Sequence, residues 1–263
     1  MGTALYKAPL PDDLASRTAR DQPLNREDCN SRGDEPVGDL PRPGCSSVVE
    51  KPIRVAIWGD SHALAWQPFA WAIADEDGVA ATSFTRDACA PALDYDNGKR
   101  MLEADRCKEF NRSVVAKLRA YDTIVITAWW PQPDHGDFES HFTATLTQVA
   151  STARRVIVIG QTPNLPDSVP NCIARGALSA CDVSRASFDK DAVPVRTMLQ
   201  RVAATHSNVE YVDVADFFCS QVNCLALKDG YGLYWDTNHV SSTAARMFAL
   251  NYIKMKGRRV AAQ

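Results

Sequence analysis

The residue types needed for nucleophilic acyl transfer stand near the two ends of this chain. Ser61 follows the apolar run 55–58 and belongs to the sequence Gly-Asp-Ser-His, whereas Asp236 and His239 lie three residues apart near the other end. A serine hydroxyl is a weak nucleophile at neutral pH, so it needs a base that is itself held by a third group. A histidine and an aspartate supply these two functions. The three residues therefore predict a catalytic triad that forms an acyl-serine intermediate.

The surroundings of Ser61 suit a nucleophile. A β-type run that ends in Gly-Asp-Ser indicates a sharp turn from a strand into a helix, at the carboxyl edge of a sheet where ligands collect. The backbone amide of Ser61, at the start of that helix, can hold negative charge. Glycine and serine also occur in such turns for structural reasons, glycine for its backbone freedom and serine as a helix cap. A helix cap is the alternative interpretation of Ser61 taken alone.

Several further residues are candidates for substrate contacts. His62 can line the cleft, although a histidine packed and hydrogen-bonded on the first helix is the favoured interpretation. Asp60 is expected to brace the loop through backbone amides. Trp129, Trp130 and Trp235 can form an apolar platform for a sugar ring, with ordinary core packing as the alternative for each of them.

Charge and composition exclude several function classes. The 263 residues include 29 basic and 32 acidic ones, a formal charge of -3, without a concentrated run of like charges, which argues against a nucleic-acid partner. Residues 160–163 lack the glycines and the lysine of a phosphate loop, so no nucleotide cofactor is expected. His135 and His141 lack a ligand set at metal-site spacing, and no metal is predicted. An acyl donor is the one further molecule that the predicted chemistry requires.

The eight cysteines indicate disulfides and an oxidising compartment. Their number is even, and no two have the Cys-x-x-Cys spacing of zinc or redox sites. Roughly a hundred pairings are possible, and sequence neighbours, which close short loops, are predicted to pair while the other pairings stay open. The predicted pairs are Cys29 with Cys45, Cys89 with Cys107, Cys172 with Cys181, and Cys219 with Cys224.

Disulfides imply export, yet the chain begins without a basic and apolar leader pattern. Its apolar runs also stay below the roughly 20 residues of a membrane span. We therefore expect an extracytoplasmic part of a longer parent protein that is bound to a membrane.

From residue 53 the hydrophobic pattern alternates between strands and helices. Apolar β-branched runs predict five strands, at residues 53–58, 79–84, 123–128, 156–160 and 209–214. Helices are predicted at residues 63–74, 101–119, 139–152, 192–206 and 242–254. This order is typical of a three-layer α/β/α sandwich with a mostly parallel five-stranded sheet. The proline-rich residues 1–51 are predicted to form an extended lead-in that a disulfide partly ties down. Residues 52–263 are predicted to form the catalytic domain.

The two end motifs resemble the SGNH/GDSL hydrolases, whose first block is Gly-Asp-Ser, as at residues 59–61, and whose last block is Asp-x-x-His, as at residues 236–239. Gly-Asp-Ser-His with a late Asp-Thr-Asn-His-Val-Ser segment is most similar to the domain appended to membrane acyltransferases of the acyltransferase-3 type. The Cys89-Ala-Pro segment, with Cys107 ahead of Lys108-Glu-Phe-Asn, and the pair of Cys219 and Cys224 also look like that subgroup. The resemblance covers about residues 50–255.

This resemblance implies a flavodoxin-like three-layer fold and an enzyme that O-acetylates a bacterial cell-surface glycan, a polysaccharide or lipopolysaccharide. The acetyl donor would be delivered by a membrane acyltransferase domain of the same parent chain. That arrangement implies a periplasmic or otherwise extracytoplasmic location, with the parent anchored in the inner membrane. Two alternatives stay open: a carbohydrate acetyl esterase of the same fold, and a glycan-binding module whose triad is idle.

Two departures from the superfamily pattern concern the oxyanion. No glycine stands in residues 83–89, and Thr-Ala-Trp-Trp-Pro-Gln at residues 127–132 replaces the Gly-x-Asn-Asp block. The residue types that supply two of the usual three oxyanion donors are therefore absent. Losing one such donor commonly lowers the rate by about 10²- to 10³-fold. The Ser61 amide remains, and further donor or substrate-contact candidates are Trp129, Trp130, Gln132 and His62.

Overall fold

The computed structural model describes residues 13–23, 26–47, 50–96 and 101–261, with side chains up to residue 257. The first twelve residues of the predicted lead-in lie outside these ranges. The described helices are α1 (Leu14–Arg20), α2 (Arg26–Cys29), α3 (Ser61–Ala65), α4 (Gln67–Glu76), α5 (Met101–Leu118), α6 (Phe138–Ala150), α7 (Val169–Ala174), α8 (Arg185–Ala203), α9 (Ala215–Phe218) and α10 (Ser242–Ala261). The strands are β1 (Asn30–Ser31), β2 (Ile53–Gly59), β3 (Ala80–Arg86), β4 (Thr123–Thr127), β5 (Arg155–Ile159), β6 (Val183–Ser184), β7 (Val209–Val212), β8 (Asn223–Cys224), β9 (Leu227–Lys228) and β10 (Tyr231–Gly232).

A parallel sheet occupies the centre of the fold. Its strands lie in the order β1-β3-β2-β4-β5-β7, and every neighbouring pair is parallel. Strands β2 to β5 are largely buried, as their long apolar runs require in a sheet that is covered on both faces. The predicted α/β fold with a mostly parallel sheet is confirmed. The sheet has six strands in the described residues instead of the predicted five.

Two apolar layers cover the two faces of the sheet. Val55 and Ile57 of β2 point into one layer, with α4 and α10, and Ala56 and Trp58 point into the other, with α5, α6 and α8. This alternation follows from the two-residue repeat of a strand. The large apolar residues of β2 therefore serve two cores, which explains why the strand has no polar face. None of the described helices has both the length and the apolar character that crossing a membrane requires.

The sixth strand comes from the segment before residue 52, which we expected to be extended. In the described residues of this segment, β1 pairs in parallel with β3 at the edge of the sheet. Asp21 caps α10, since its backbone carbonyl accepts the Ser242 amide at 3.0 Å and its carboxylate accepts the Thr243 amide at 3.2 Å. A two-residue strand is too short to show a hydrophobic repeat. The sequence pattern therefore could not predict this pairing.

A buried arginine holds the same segment against the sheet. The side chain of Arg86, at the end of β3, is fully buried and lies over the ring of Phe110 at 5.9 Å. Its guanidinium donates to the backbone carbonyls of Gly33, at 3.0 Å, and Glu35. Burial lowers the pKa of Arg86, partly offset by the nearby Glu35 carboxylate. The charge is therefore stabilised by carbonyl groups that the early segment supplies.

Helix boundaries differ from the predictions at several places, including the end of α10, which lies at Ala261 rather than at residue 254. The helix predicted over residues 63–74 is two helices, because Pro68 cannot donate an amide hydrogen bond and its ring would clash with the carbonyl four residues earlier. Helix α8 begins at Arg185 rather than at residue 192. Its start is set by Ser184, whose hydroxyl accepts the Ser187 amide at 3.1 Å.

All eight cysteines form disulfides, in the predicted neighbour pattern: Cys29–Cys45, Cys89–Cys107, Cys172–Cys181 and Cys219–Cys224. The first of them ties α2 to the loop before β2. Its sulfurs pack with Leu64 of α3 in a small apolar cluster of their own. The disulfide therefore packs the early segment against the helix that begins at Ser61.

Replacing both Cys29 and Cys45 with Ser is expected to lower the free energy of unfolding by about 3 kcal/mol, because the bond closes a loop of 16 residues. The matched change of Cys219 and Cys224, which close a loop of 5 residues, should cost about 2 kcal/mol. Urea unfolding under non-reducing conditions measures both. Amide exchange should speed up across residues 26–47 in the first variant alone; unchanged exchange there would contradict the assigned role of the bond.

Candidate active site

The structure brings Ser61, His239 and Asp236 together at the carboxyl edge of the sheet. Ser61 is the first residue of α3, directly after β2, and His239 and Asp236 lie on the loop before α10. Nε2 of His239 is 2.8 Å from Oγ of Ser61, and Nδ1 of His239 is 2.6 Å from Oδ2 of Asp236. The three side chains form one continuous hydrogen-bonded chain, although 178 residues separate Ser61 from His239.

The carboxylate of Asp236 is held in place by its own loop. Oδ1 accepts the backbone amides of Asn238 at 2.9 Å and His239 at 2.8 Å, which leaves Oδ2 for the imidazole. Burial acts to raise the pKa of Asp236, but the hydrogen bond and charge of His239 and the two amides outweigh it and hold the pKa below its usual value. An ionised Asp236 favours the tautomer of His239 with its proton on Nδ1. Nε2 is then free to accept the proton of Ser61.

Gly59 is required by the close approach of β4. A Cβ atom at this position would lie 1.8 Å from the backbone oxygen of Thr127. The residue has φ of +155°, a conformation that side chains with a Cβ rarely adopt. The glycine therefore lets β2 and β4 stay paired up to the turn from which Ser61 projects.

Asp60 connects the turn to the loop after β4. Its side chain is 2% exposed, with Oδ1 accepting the His62 amide at 2.8 Å and Oδ2 accepting the Trp129 amide at 2.9 Å. Burial raises the pKa of Asp60 to about 6, against the lowering effect of these two hydrogen bonds. The bond to Trp129 spans 69 residues and sets the distance between the turn at Ser61 and the neighbouring loop.

The imidazole of His239 lies between two other rings. Trp235 stacks on one side, with ring centroids 5.2 Å apart and planes inclined by 8°, and His62 stacks at 4.6 Å and 30°. Burial, with the nearby charge of His239, lowers the pKa of His62 to about 3. His62 is therefore neutral at pH 7 and adds no positive charge next to His239.

The neutral state of His62 predicts a pH dependence of stability. An unfolded histidine titrates near pH 6.5, so between about pH 6.5 and 3 the unfolded chain binds a proton that the folded chain does not, and the free energy of unfolding falls as pH falls. The limiting slope is about 1.4 kcal/mol per pH unit. Urea unfolding at pH 7, 6 and 5 should show that the free energy of unfolding falls more steeply with falling pH for the wild type than for His62→Gln. Equal slopes for the two proteins would contradict a neutral His62.

A cavity of about 530 Å³ opens beside Ser61 and His239. Trp129 is 40% exposed at its wall, whereas Trp130 and Trp235 are 2% and 6% exposed. The indole of Trp130 donates to the carbonyl of Ile159 at 2.9 Å, so it belongs to the core. Of the three tryptophans considered as a platform for a sugar ring, only Trp129 presents a substantial surface to solvent.

Three of the donors considered for the oxyanion already have acceptors in the protein. The Trp129 amide donates to Asp60, and the Trp130 amide donates to Oε1 of Gln161 at 3.0 Å. The Gln132 side chain donates to the carbonyl of Asp191 at 3.0 Å. These hydrogen bonds arise from contacts between distant loops, which is why the residue types suggested donors that the fold uses elsewhere. Among the described residues, the Ser61 amide has no hydrogen-bond acceptor, as expected for the first turn of a helix.

The loop after β3 has a left-handed backbone conformation at Ala88, although it lacks the glycine of the superfamily pattern. Ala88 has φ of +49°, in the left-handed region that glycine adopts most easily. It lies in the wall of the same cavity as Ser61. The sequence carries no sign of this conformation, since alanine does not favour it.

A second cavity, of about 340 Å³, also borders Ser61 and His239. Its polar wall comes largely from the early segment, through Arg26, Glu27, Asn30 and Arg32. The Asn30 amide donates to Asp87 of the loop after β3. These residues were not among the sequence candidates, because a segment interpreted as an extended lead-in is not expected to contact the site. The described residues contain no cluster of histidine, cysteine or acidic side chains arranged to hold a metal ion.

Two solved structures are similar to this chain in fold. The periplasmic domain of a lipopolysaccharide acetyltransferase from Salmonella ser. Paratyphi A is similar in fold, with a TM-score of 0.62 and 16% identity over 92% of this chain and 93% of that domain. An acetyl-xylooligosaccharide esterase from Geobacillus shows a looser likeness, with a TM-score of 0.45 and 14% identity over 78% and 94% of the two chains. No curated protein sequence is significantly similar to this chain.

The family model that matches the chain is described as the SGNH domain fused to AT3 domains, and the match spans residues 20–253. The match begins 32 residues before the predicted domain start at residue 52, within the segment that carries β1 and the Cys29–Cys45 disulfide. Because the match extends over most of its length, this chain belongs to the family of SGNH domains that are fused to AT3 domains.

Proposed function

We propose that this domain is an acyl-transfer enzyme in which Ser61 is the nucleophile, His239 the general base and Asp236 the orienting carboxylate. The observation that carries the proposal is the hydrogen-bonded chain from Oγ through the imidazole to Oδ2, at 2.8 and 2.6 Å, with cavities next to the serine. This is the arrangement that activates a serine hydroxyl at neutral pH.

The chemistry proceeds in two half-reactions. Oγ of Ser61 attacks the carbonyl carbon of the acyl donor while Nε2 of His239 takes its proton, and the leaving group departs with that proton. An acyl group now forms an ester with Ser61. His239 then accepts a proton from the incoming hydroxyl, the new oxygen attacks the acyl carbon, and Oγ leaves as it regains the proton. Asp236 stabilises the imidazolium in both halves.

For the acceptor we propose a hydroxyl of a cell-surface glycan, and for the acyl group an acetyl. Trp129 offers an exposed aromatic face in the larger cavity, and sugar rings stack on such faces through their apolar sides. The smaller cavity carries charged and amide side chains that can hydrogen-bond sugar hydroxyls. Space on two sides of Ser61 lets an acyl-enzyme and an acceptor be present together.

For the donor we propose a membrane acyltransferase domain of the same parent chain. The fusion to AT3 domains in the family description supports this proposal. Four disulfides accord with an extracytoplasmic location, where such bonds persist. The proposed setting is thus the outer face of the inner membrane, where acetyl groups pass from the membrane domain to Ser61.

The second candidate function is an acetyl esterase. The His239 side chain is 22% exposed, so water can reach the group that activates the acceptor. Hydrolysis would then compete with transfer at the same acyl-enzyme. A glycan-binding role with an idle triad is the outcome that an unreactive Ser61 would indicate.

One experiment separates these functions. The chain is given p-nitrophenyl acetate with and without the surface glycan of the cells that produce it, and released acetate and acetylated glycan are both measured. For a transferase we expect the glycan to take most of the acetyl groups at the expense of acetate. Acetate release that the glycan leaves unchanged indicates the esterase, and a Ser61 that a fluorophosphonate does not label contradicts both enzymes.

A further inference from the structure

An acyl transfer at Ser61 needs more than one donor for the negative oxygen of its tetrahedral intermediate. The Ser61 amide is one, and single donors of this kind contribute about 10²- to 10³-fold in rate. The backbone amides of Trp129 and Trp130, and one N–H of the Gln132 side chain, donate to acceptors in the protein. Other polar groups in the cavity wall are therefore candidates for the further donor.

His62 is such a group. Its side chain is 4% exposed and lines the larger cavity together with Ser61 and His239. Its backbone amide is bonded to Asp60, but neither ring nitrogen has a hydrogen-bond partner among the described residues. An imidazole that lacks a protein partner and borders the substrate cavity is therefore suited to bond the substrate.

The ring of His62 is also held in position. It stacks on His239 at 4.6 Å and contacts the ring of Trp129 at 5.1 Å, so the rings on both sides limit its rotation. The bond from its amide to Asp60 holds the backbone of the same turn. A donor that is fixed before the substrate arrives needs no reorganisation when charge develops.

The protonation state of the ring suits the role. Burial lowers the pKa of His62 to about 3, so the ring is neutral, with one nitrogen carrying a proton and the other without. A neutral imidazole can polarise a carbonyl as an electrophile without exchanging its proton. His62 would thus keep its proton throughout the reaction while His239 moves one.

We propose that the His62 imidazole donates a hydrogen bond to the acyl oxygen at Ser61, beside the Ser61 amide, and completes the oxyanion site of this domain. The inference rests on the proposed acyl transfer through Ser61. It makes His62 a catalytic residue, in contact with the reacting group, in place of the packed histidine that the sequence favours.

The test compares His62→Phe, which keeps a stacking ring without the donor, with His62→Gln, which keeps a donor without the ring. Steady-state kinetics with p-nitrophenyl acetate, and the rate of Ser61 labelling by a fluorophosphonate, measure the effect. We expect His62→Phe to lower kcat about 10²- to 10³-fold with little change in KM, and His62→Gln to recover at least about tenfold of that loss. Labelling of Ser61 should slow in the same order.

The same pair of substitutions at His141 is the matched control, since that ring is partly buried, bonds the carbonyl of Leu93 and lies outside both cavities. Neither control variant should change kcat. Melting curves identify variants that fail to fold. Near wild-type kcat in His62→Phe would overturn the proposal in favour of packing, and equal losses in both His62 variants would overturn it because a donor then restores nothing.

The Ser61→Ala variant and labelling of the wild type distinguish this failure from failure of the proposed function. If Ser61→Ala hydrolyses the ester as fast as the wild type and the fluorophosphonate does not label Ser61, acyl transfer at Ser61 is wrong and the role of His62 falls with it. If Ser61 reacts and the His62 variants keep their rates, only the role of His62 is overturned.

Discussion

Replacing Ser61 with Ala is expected to lower kcat for acetyl transfer and ester hydrolysis by roughly 10⁴- to 10⁶-fold. Oγ of Ser61 is the one hydroxyl, among the described residues, that bonds Nε2 of His239, so the variant leaves the base without a nucleophile to activate. The fold should be unaffected because Oγ makes no other hydrogen bond in the described residues. The measurement is the initial rate with p-nitrophenyl acetate, together with mass spectrometry for an acetyl group on the chain.

Ser46→Ala is the matched control for that variant. The Ser46 hydroxyl bonds Thr82 at 3.1 Å and lies outside both cavities beside Ser61, so its rates should equal those of the wild type. Melting temperatures of the two variants should agree within a few degrees. A Ser61→Ala protein that keeps more than about one per cent of the wild-type rate would show that another nucleophile carries the reaction.

Asp236→Asn is expected to cost about 10⁴-fold in kcat while the protein stays folded. The amide oxygen of asparagine can still accept the backbone amides of Asn238 and His239 that now bond Oδ1. Its NH₂ group then occupies the place of Oδ2 and donates to Nδ1 of His239, which moves the imidazole proton to Nε2. A protonated Nε2 cannot accept the proton of Ser61, so the defect arises from the wrong tautomer.

Two comparisons make this prediction specific. Asp213→Asn changes a carboxylate that accepts the Ala215 amide at 3.0 Å and borders neither cavity, and its kcat should be close to that of the wild type. In Asp236→Asn, kcat should fall far more than KM rises, since both carboxylate oxygens already bond groups of the protein, the amides of its own loop and the imidazole of His239. A loss below about tenfold would mean that His239 finds its orientation without Asp236, through the stacked rings alone.

Much of the fold follows from patterns within short stretches of sequence. The buried run of β2, with Gly59 at its end, identifies both the strand and the sharp turn, because β-branched runs and glycine have strong local preferences. Sequence neighbours among the cysteines pair as expected, since short loops are the easiest to close. Asp236 and His239 could be matched to one motif because they lie only three residues apart on a single loop.

Other features could not be predicted because they depend on residues far apart in the chain. The sixth strand is two residues long and pairs with β3 across more than 50 positions, so no local hydrophobic repeat marks it. The polar cavity built by Arg26, Asn30 and Arg32 exists only because that pairing carries the early segment to the site. The proline-rich composition of the early segment carries no sign of this pairing.

The sequence by itself determined the residue types of the triad and the layered α/β architecture, since each is encoded by spacing within one motif or by a repeat along one element. For the disulfides it favoured the neighbour pairs but left the other pairings open. Only the tertiary structure decided which donors remain available around Ser61. The Trp129 amide bonds Asp60, and His62 is left between two rings with unpaired nitrogens at the cavity. Hydrogen bonds and ring contacts of this kind depend on where distant loops meet, and residue type alone does not specify that meeting point.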